Sequence, residues 1–326
     1  MIDFRSCLRG LWLPLITPFR NGDLDELSLR RLARHYISLP VNGLVLAATT
    51  GEGLTLDPGE TERLVFAVRD EANKLPICLG LAGSDTRALL TRLESTAAWP
   101  IDGYLISCPF YSRPSQLGML RHFRALAERA SHPVLLYNIP YRTGVSLGNE
   151  AMLQLADHPN IVGLKDCCAD RDQSLDLLRR RPPGFAVLTG EDAHYHEALI
   201  DGADGGILAS AHIETETFAE IWKLAVAGER ETALSRWQSV TELTHLLFAE
   251  PSPAPIKYWL WRAGLIDSAE LRLPMTEVSP QLAARLDAEI ERHHSRGRAE
   301  HRDGAIETSA GRGWPEVIGA QSERCK

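Results

Sequence analysis

The sequence predicts an α/β protein built as a TIM (β/α)8 barrel with a small C-terminal helical extension. Three observations lead there. Short apolar runs alternate with amphipathic segments along most of the 326 residues, and there are eight such runs. The runs are apolar on consecutive residues, as strands of a parallel sheet covered on both faces must be. Eight is also the number of strands that closes a barrel. A doubly wound open sheet would usually carry a GxGxxG turn after its first strand, and LITPFRNGD at 15–23 is not one.

The units follow in order. LWLPLIT (11–17) is the first strand, and LDELSLRRLARHYISL (24–39) repeats apolar residues at i, i+3, i+4 and i+7, the spacing of one helical face. GLVLAA (43–48) leads to ETERLVFAVRDEANK (60–74), PICLGLA (76–82) to TRALLTRLESTAAW (86–99), and GYLISCP (103–109) to QLGMLRHFRALAERA (116–130). PVLLYNIP (133–140) leads to NEAMLQLADH (149–158). The sixth strand, NIVGLKD (160–166), emerges from the turn residues HPN and leads to RDQSLDLLRRR (171–181). FAVLTGE (185–191) leads to HYHEALIDG (194–202), and GGILAS (205–210) to ETETFAEIWKLAVAG (214–228). The barrel domain is therefore expected over 1–228. RETALSRWQSVTELTHLLF, PIKYWLWRAGL and SPQLAARLDAEIERHH place a helical extension at 229–296, and the polar, aperiodic stretch 297–326 is expected to be a disordered tail.

Composition excludes several functions. With 44% hydrophobic residues and no apolar run near the roughly 20 residues a bilayer requires, no membrane role is expected. Pro14 and Pro18 interrupt the N-terminal apolar stretch and no small-residue cleavage site follows, so no signal peptide is expected. A net charge of −8 with dispersed basic residues argues against nucleic acid as a partner. Arg179, Arg180 and Arg181 end a helical pattern, where positive charge suits the helix C-terminus. The six cysteines show no CxxC pairing and no metal-ligand spacing with histidine, which fits a reducing cytoplasm.

In such a barrel the strand C-termini face the active site, so a polar residue that ends an apolar strand belongs to the catalytic face. Lys165 is such a residue, and TTGE (49–52), FYSR (110–113), YNIPYR (137–142) and GED (190–192) are others. An amine in an apolar pocket loses hydration, its pKa falls, and the neutral form is a nucleophile that makes a Schiff base with a carbonyl. Position alone leaves a second possibility open, a structural pair between Lys165 and Asp166. A Schiff-base enzyme also needs a proton shuttle, which Tyr137 on the adjacent strand can supply with Thr49 and Tyr111 as a relay. A keto-acid carboxylate can be held by the amides of the threonine-glycine turn, at Thr50 and Gly51.

TTGE, PFYSRPSQ, YNIPYRTG, VGLKD, LTGEDA, FAEPSPAPIK and LRLPM, in order between Gly10 and Met275, resemble the motifs of the dihydrodipicolinate synthase family within the N-acetylneuraminate lyase superfamily. The resemblance implies a cofactor-independent class I lyase that joins pyruvate to aspartate semialdehyde in lysine biosynthesis. Its carried-over roles are Schiff base at Lys165 and proton donor and acceptor at Tyr137. Thr49 completes the relay with Tyr111, which reaches into a neighbouring subunit's site. Thr50 and the main chain at Ile207 would bind pyruvate, and Arg142 the carboxylate of the aldehyde. A homotetramer built from dimers is implied as well. The chain departs from the family pattern at Tyr141, at Gly53 and at DCCAD after the lysine, all of which bear on the second substrate. A related aldolase acting on a sugar acid is the alternative. Two readings of other classes are a metal-dependent aldolase using Glu191, Asp192, His194 and His196, and a non-enzymatic relative. Feedback inhibition by lysine is not expected, because Pro58, Thr61, Ser84, Ala88 and Phe110 replace the polar side chains of the family's lysine pocket.

Overall fold

The computed structural model describes residues 3–303. Eight parallel strands form a closed barrel: β1 (Gly10–Pro14), β2 (Gly43–Leu46), β3 (Ile77–Leu81), β4 (Gly103–Ser107), β5 (Val134–Asn138), β6 (Ile161–Asp166), β7 (Ala186–Thr189) and β8 (Gly205–Ile207). Every residue of these strands is buried, as the unbroken apolar runs require. Neighbours in sequence are neighbours in space, and β8 closes on β1 with Trp12 opposite Ile207.

Around the barrel run α1 (Glu26–Ile37), α2 (Pro58–Ala72), α3 (Thr86–Ser95), α4 (Gln116–Arg129), α5 (Asn149–Ala156), α6 (Arg171–Arg180), α7 (Tyr195–Asp201) and α8 (Thr215–Val226). Their starts are set by local chemistry. Asp25, Asp57, Asp85, Ser115 and Asp170 each accept a hydrogen bond from a first-turn amide, satisfying a donor the helix itself cannot. At α2 the cap is reciprocal, because the Glu60 side chain accepts from the Asp57 amide while the Asp57 side chain accepts from the Glu60 amide. Loss of such a cap costs about 0.5–2 kcal/mol.

Two apolar layers result. The outer one lies between strands and helices; the inner one fills the barrel with Val45, Cys78, Leu105, Leu135, Tyr137, Val162, Leu188 and Ile207. A one-turn helix, Phe4–Cys7, closes the floor: the Phe4 ring meets Trp12 edge to face at 5.6 Å. Gly43 and Gly103 are needed there, since a Cβ at either would overlap the Trp12 or the Phe4 ring. Burying Phe4 is worth roughly 1.5–3 kcal/mol. The floor is thus a packed plug, and the chemistry is confined to the other end.

After the barrel come α9 (Arg230–Leu247), α10 (Ala254–Arg262) and α11 (Pro280–Asp303), with α9 against α8 and α10 against α11. α11 runs into the stretch expected to be a disordered tail, and the remainder of that stretch, 304–326, lies outside the described residues. Among the described residues no helix is long and apolar enough to cross a membrane.

Candidate active site

Lys165 and Tyr137 are register partners on β6 and β5. Directly paired residues of adjacent strands project to the same face, so both side chains enter the barrel lumen. Lys165 is only 5% exposed, and its Nζ sits 4.5 Å from the centroid of the Tyr137 ring. Burial is the main cause that holds its pKa below the ordinary lysine value. Cys167, Asp192 and Glu191 oppose that shift and Arg142 adds to it. The Cys167 thiol is itself pushed up to about 12 by burial, so near neutrality it supplies no negative charge to hold a proton on the lysine.

Asp166 is not the partner of Lys165. Strand alternation turns it to the opposite face, where it accepts from Ser174 Oγ at 2.6 Å and from the Cys168 amide at 3.0 Å. Of the two possibilities left open by the sequence, the structural Lys165–Asp166 pair is therefore absent. Burial likewise pushes the Tyr137 phenol well above its usual value, while the approaching Thr49 side chain acts the other way. Tyr137 is therefore a neutral phenol near pH 7.

The turn after β2 brings Thr49, Thr50 and Gly51 to the same end of the barrel. Thr50 is 8% exposed; Thr49 is exposed, yet its side chain reaches the Tyr137 phenol. The turn is tightly bound: Thr17 Oγ1 donates to the Gly51 carbonyl at 2.7 Å, and the amides of Glu52 and Gly53 return to Thr49 and Ala48. The amides of Thr50 and Gly51 make no backbone hydrogen bond among the described residues. Two adjacent free donors beside a buried hydroxyl suit a carboxylate. Gly51 is required by space, since a Cβ there would come within 2.8 Å of the Leu15 carbonyl oxygen.

Arg142, in the one-turn helix Pro140–Thr143 that follows β5, is exposed, with its guanidinium 5.7 Å from the Tyr141 ring centroid. Glu191, half-buried after β7, has its pKa raised by burial and lies within the field of Lys165 and Arg142. Asp192 is fully buried and raised to about 6 by burial; its Oδ1 accepts from the Ser210 amide at 2.7 Å and the Ser210 hydroxyl at 2.5 Å. Ile207 is buried at the end of β8. His194 points to solvent beside Glu197, and among the described residues no three His, Cys, Asp or Glu side chains gather as a metal site.

Tyr111 does not join this constellation within one chain. It is 94% exposed, in a left-handed conformation with φ of 67° and its amide donating to the Thr143 carbonyl. Two contributors escaped the sequence reading. Gly190 leaves the room Lys165 occupies, since a Cβ there would overlap Lys165 Cε and Cys167 Sγ; the GED stretch was visible, but not which of its residues mattered. Cys167 lies against both the lysine and the tyrosine; DCCAD stood out as a departure from the family pattern, but not that this cysteine faces the site. Gly190→Ala is expected to displace the Lys165 side chain and cut turnover about 10²-fold, as misplacements of about 1 Å do, which steady-state kinetics checks.

The model of the dihydrodipicolinate synthetase family matches residues 7–293. The 4-hydroxy-tetrahydrodipicolinate synthase 2 of Clostridium acetobutylicum is 41% identical over 281 residues, covering 86% of this chain and 98% of that protein. A solved structure described as the first monomeric dihydrodipicolinate synthase variant superposes with a TM-score of 0.86 at 30% identity, covering 89% of this chain and 98% of its own. The chloride-inhibited dihydrodipicolinate synthase of Acinetobacter baumannii, solved with pyruvate, gives a TM-score of 0.84 at 32% identity, covering 87% of this chain and 98% of its own.

Proposed function

This chain belongs to the dihydrodipicolinate synthetase family, and on that premise we propose that it condenses pyruvate with L-aspartate 4-semialdehyde to 4-hydroxy-tetrahydrodipicolinate, a step of lysine and diaminopimelate biosynthesis. The observation that carries this is the buried Lys165 amine against the Tyr137 ring, at the open end of a barrel with a plugged floor. Lys165 Nζ adds to the pyruvate ketone, and loss of water leaves a protonated imine. That cation acidifies the methyl group, whose proton departs to give an enamine. The enamine carbon forms the new bond to the aldehyde carbon, and the aldehyde oxygen takes up a proton. The amino group of the semialdehyde then displaces Lys165 from the imine carbon, closing the ring and freeing the enzyme.

Tyr137 moves the protons of these steps, with Thr49 beside it. Thr50, Gly51 and the main chain at Ile207 hold the pyruvate carboxylate. Arg142 receives the carboxylate of the aldehyde, since a planar guanidinium matches it with two parallel hydrogen bonds. Tyr111 serves the site of a neighbouring copy, which its exposure in one chain supports. The working unit is accordingly a homotetramer, a dimer of dimers, in the cytoplasm. Cys7, Cys78, Cys108, Cys167 and Cys168 are all free thiols, as that compartment allows.

Borohydride reduction tests the reading directly. Pyruvate and borohydride together should add the reduced pyruvyl group to Lys165, found by peptide mass mapping. The trapping rate should rise with pH and level off below the ordinary lysine value of 10.5, because burial lowers the pKa of this amine. A peptide map without a pyruvate-dependent change at Lys165 defeats the mechanism. A panel of aldehydes then separates the semialdehyde from sugar-derived substrates. Arg142→Ala should raise the KM for the semialdehyde roughly 10- to 100-fold, the worth of a lost charge-assisted hydrogen bond, and leave pyruvate trapping intact.

Lysine should not inhibit. Thr61 is 1% exposed with its hydroxyl donating to the Asp57 carbonyl at 2.8 Å, and the Ser84 hydroxyl donates to the Phe110 carbonyl at 2.5 Å. Both hydroxyl protons are engaged, while Pro58 and Ala88 offer no side-chain donor or acceptor. Half-inhibition by lysine below about 1 mM, a binding free energy near −4 kcal/mol, would contradict this.

A further inference from the structure

Glu52 follows the 49–51 turn directly, yet its carboxylate is engaged with the C-terminal extension. Its Oε1 lies 2.5 Å from Nζ of Lys257 on α10, and the two side chains are 2% and 0% exposed. Its Oε2 accepts the Arg272 amide at 3.1 Å. Lys257 also donates to the Glu270 carbonyl at 2.8 Å and stands 4.3 Å from the centroid of the Phe19 ring. The Arg272 guanidinium covers the same ring at 4.3 Å and reaches both Glu60 and the Thr55 carbonyl.

Three features point beyond attachment of the extension. The turn it grips departs from ordinary backbone geometry, with Ala47 at φ 52° and Glu52 at φ 51°, a region that L residues other than asparagine and aspartate seldom enter unless their surroundings hold them there. Burying an ion pair is a poor way to gain stability, since apolar side chains of the same volume pack an interface as well or better. The pair also falls at the residue next to the two free amides of Thr50 and Gly51, where a small rotation would turn both donors away.

We propose that Lys257 is a positioning residue for the keto-acid substrate, acting through Glu52 to hold the 49–51 turn in the conformation that binds the carboxylate. The inference rests on the reaction proposed above. The partners of Lys257 Nζ are Glu52, the Glu270 carbonyl and the Phe19 ring, so any effect on the site passes through Glu52. Burial lowers the pKa of Lys257 to about 8.

The test is the pyruvate dependence of borohydride trapping, which needs no aldehyde. It is measured in the wild type, in Glu52→Gln, in Lys257→Met and in the double variant Glu52→Gln/Lys257→Met, alongside each protein's thermal midpoint. Lys257→Met strands a buried carboxylate and should melt lower; the double variant has no buried charge left at the pair and should recover. The pyruvate concentration for half-maximal trapping should rise about tenfold or more in every folded variant, the double included, while trapping at saturating pyruvate stays near wild type because Lys165 is untouched. A purely structural tie would move the melting midpoint and leave the half-saturation alone. Wild-type half-saturation in the double variant or in Glu52→Gln overturns the inference. Absence of trapping in the wild type overturns instead the reaction itself, and this inference with it.

Discussion

Lys165→Ala should form no borohydride-stable adduct with pyruvate and should turn over at least about 10⁴-fold more slowly, the scale on which removal of a covalent nucleophile acts. No other described amine is placed to replace it, since Lys257 is sealed against Glu52. The fold should survive, because the substitution removes a buried amine whose charge was costly and leaves a small cavity in exchange. A second signature concerns stability. The folded pKa of Lys165 is lowered below 10.5, so between the lowered value and 10.5 the unfolded chain binds the extra proton. Wild-type stability therefore gains with rising pH across that window, and the variant lacks this gain. Melting curves of both proteins over neutral to alkaline pH measure the difference.

Tyr137→Phe should lower turnover by about 10²-fold or more while the pyruvate adduct on Lys165 still forms, because the general acid is removed and the nucleophile is kept. The ring remains as the apolar floor 4.5 Å beneath the amine, so the thermal midpoint should hardly move. Unchanged turnover would reduce Tyr137 to a packing residue. Together the two variants separate bond formation from proton movement, the first losing both and the second only one.

Much of this was legible in the residues, for a physical reason. A barrel strand buried on both faces must be apolar throughout, so Lys165 at the end of IVGL stands out against its own strand, and Tyr137 beside it does likewise. The β/α alternation is local and repeats eight times, which makes it robust to an error in any one unit. What stayed hidden depends on distance along the chain. FAEPSPAPIK and LRLPM could be recognised as motifs, but that Lys257 and Arg272 close on Glu52 is a fact of the folded chain that no spacing encodes. The failure of Asp166 to pair with Lys165 follows from strand alternation once the strand is certain. Gly190 required coordinates, since its role is the space it leaves. For Tyr111 the resemblance already implied a place in a neighbouring subunit's site, and its 94% exposure in one chain accords with that.

The reach from Glu52 to Arg272 also sets a timetable. The Arg272 amide follows the carboxylate it meets by 220 residues, and at ribosomal speeds of about 5–20 residues per second that separation corresponds to roughly 10–40 s of translation. In the last part of this interval, once Ile207 has been made, the nascent barrel can already carry Lys165, Tyr137 and every strand, while the turn beside them still lacks its anchor. Chains released early, by a nonsense codon or a stalled ribosome between the last strand and Lys257, would own the reactive amine without the clamp that aims its substrate. The turn beside the reactive amine is thus anchored only by residues made after the last barrel strand, Lys257 and Arg272.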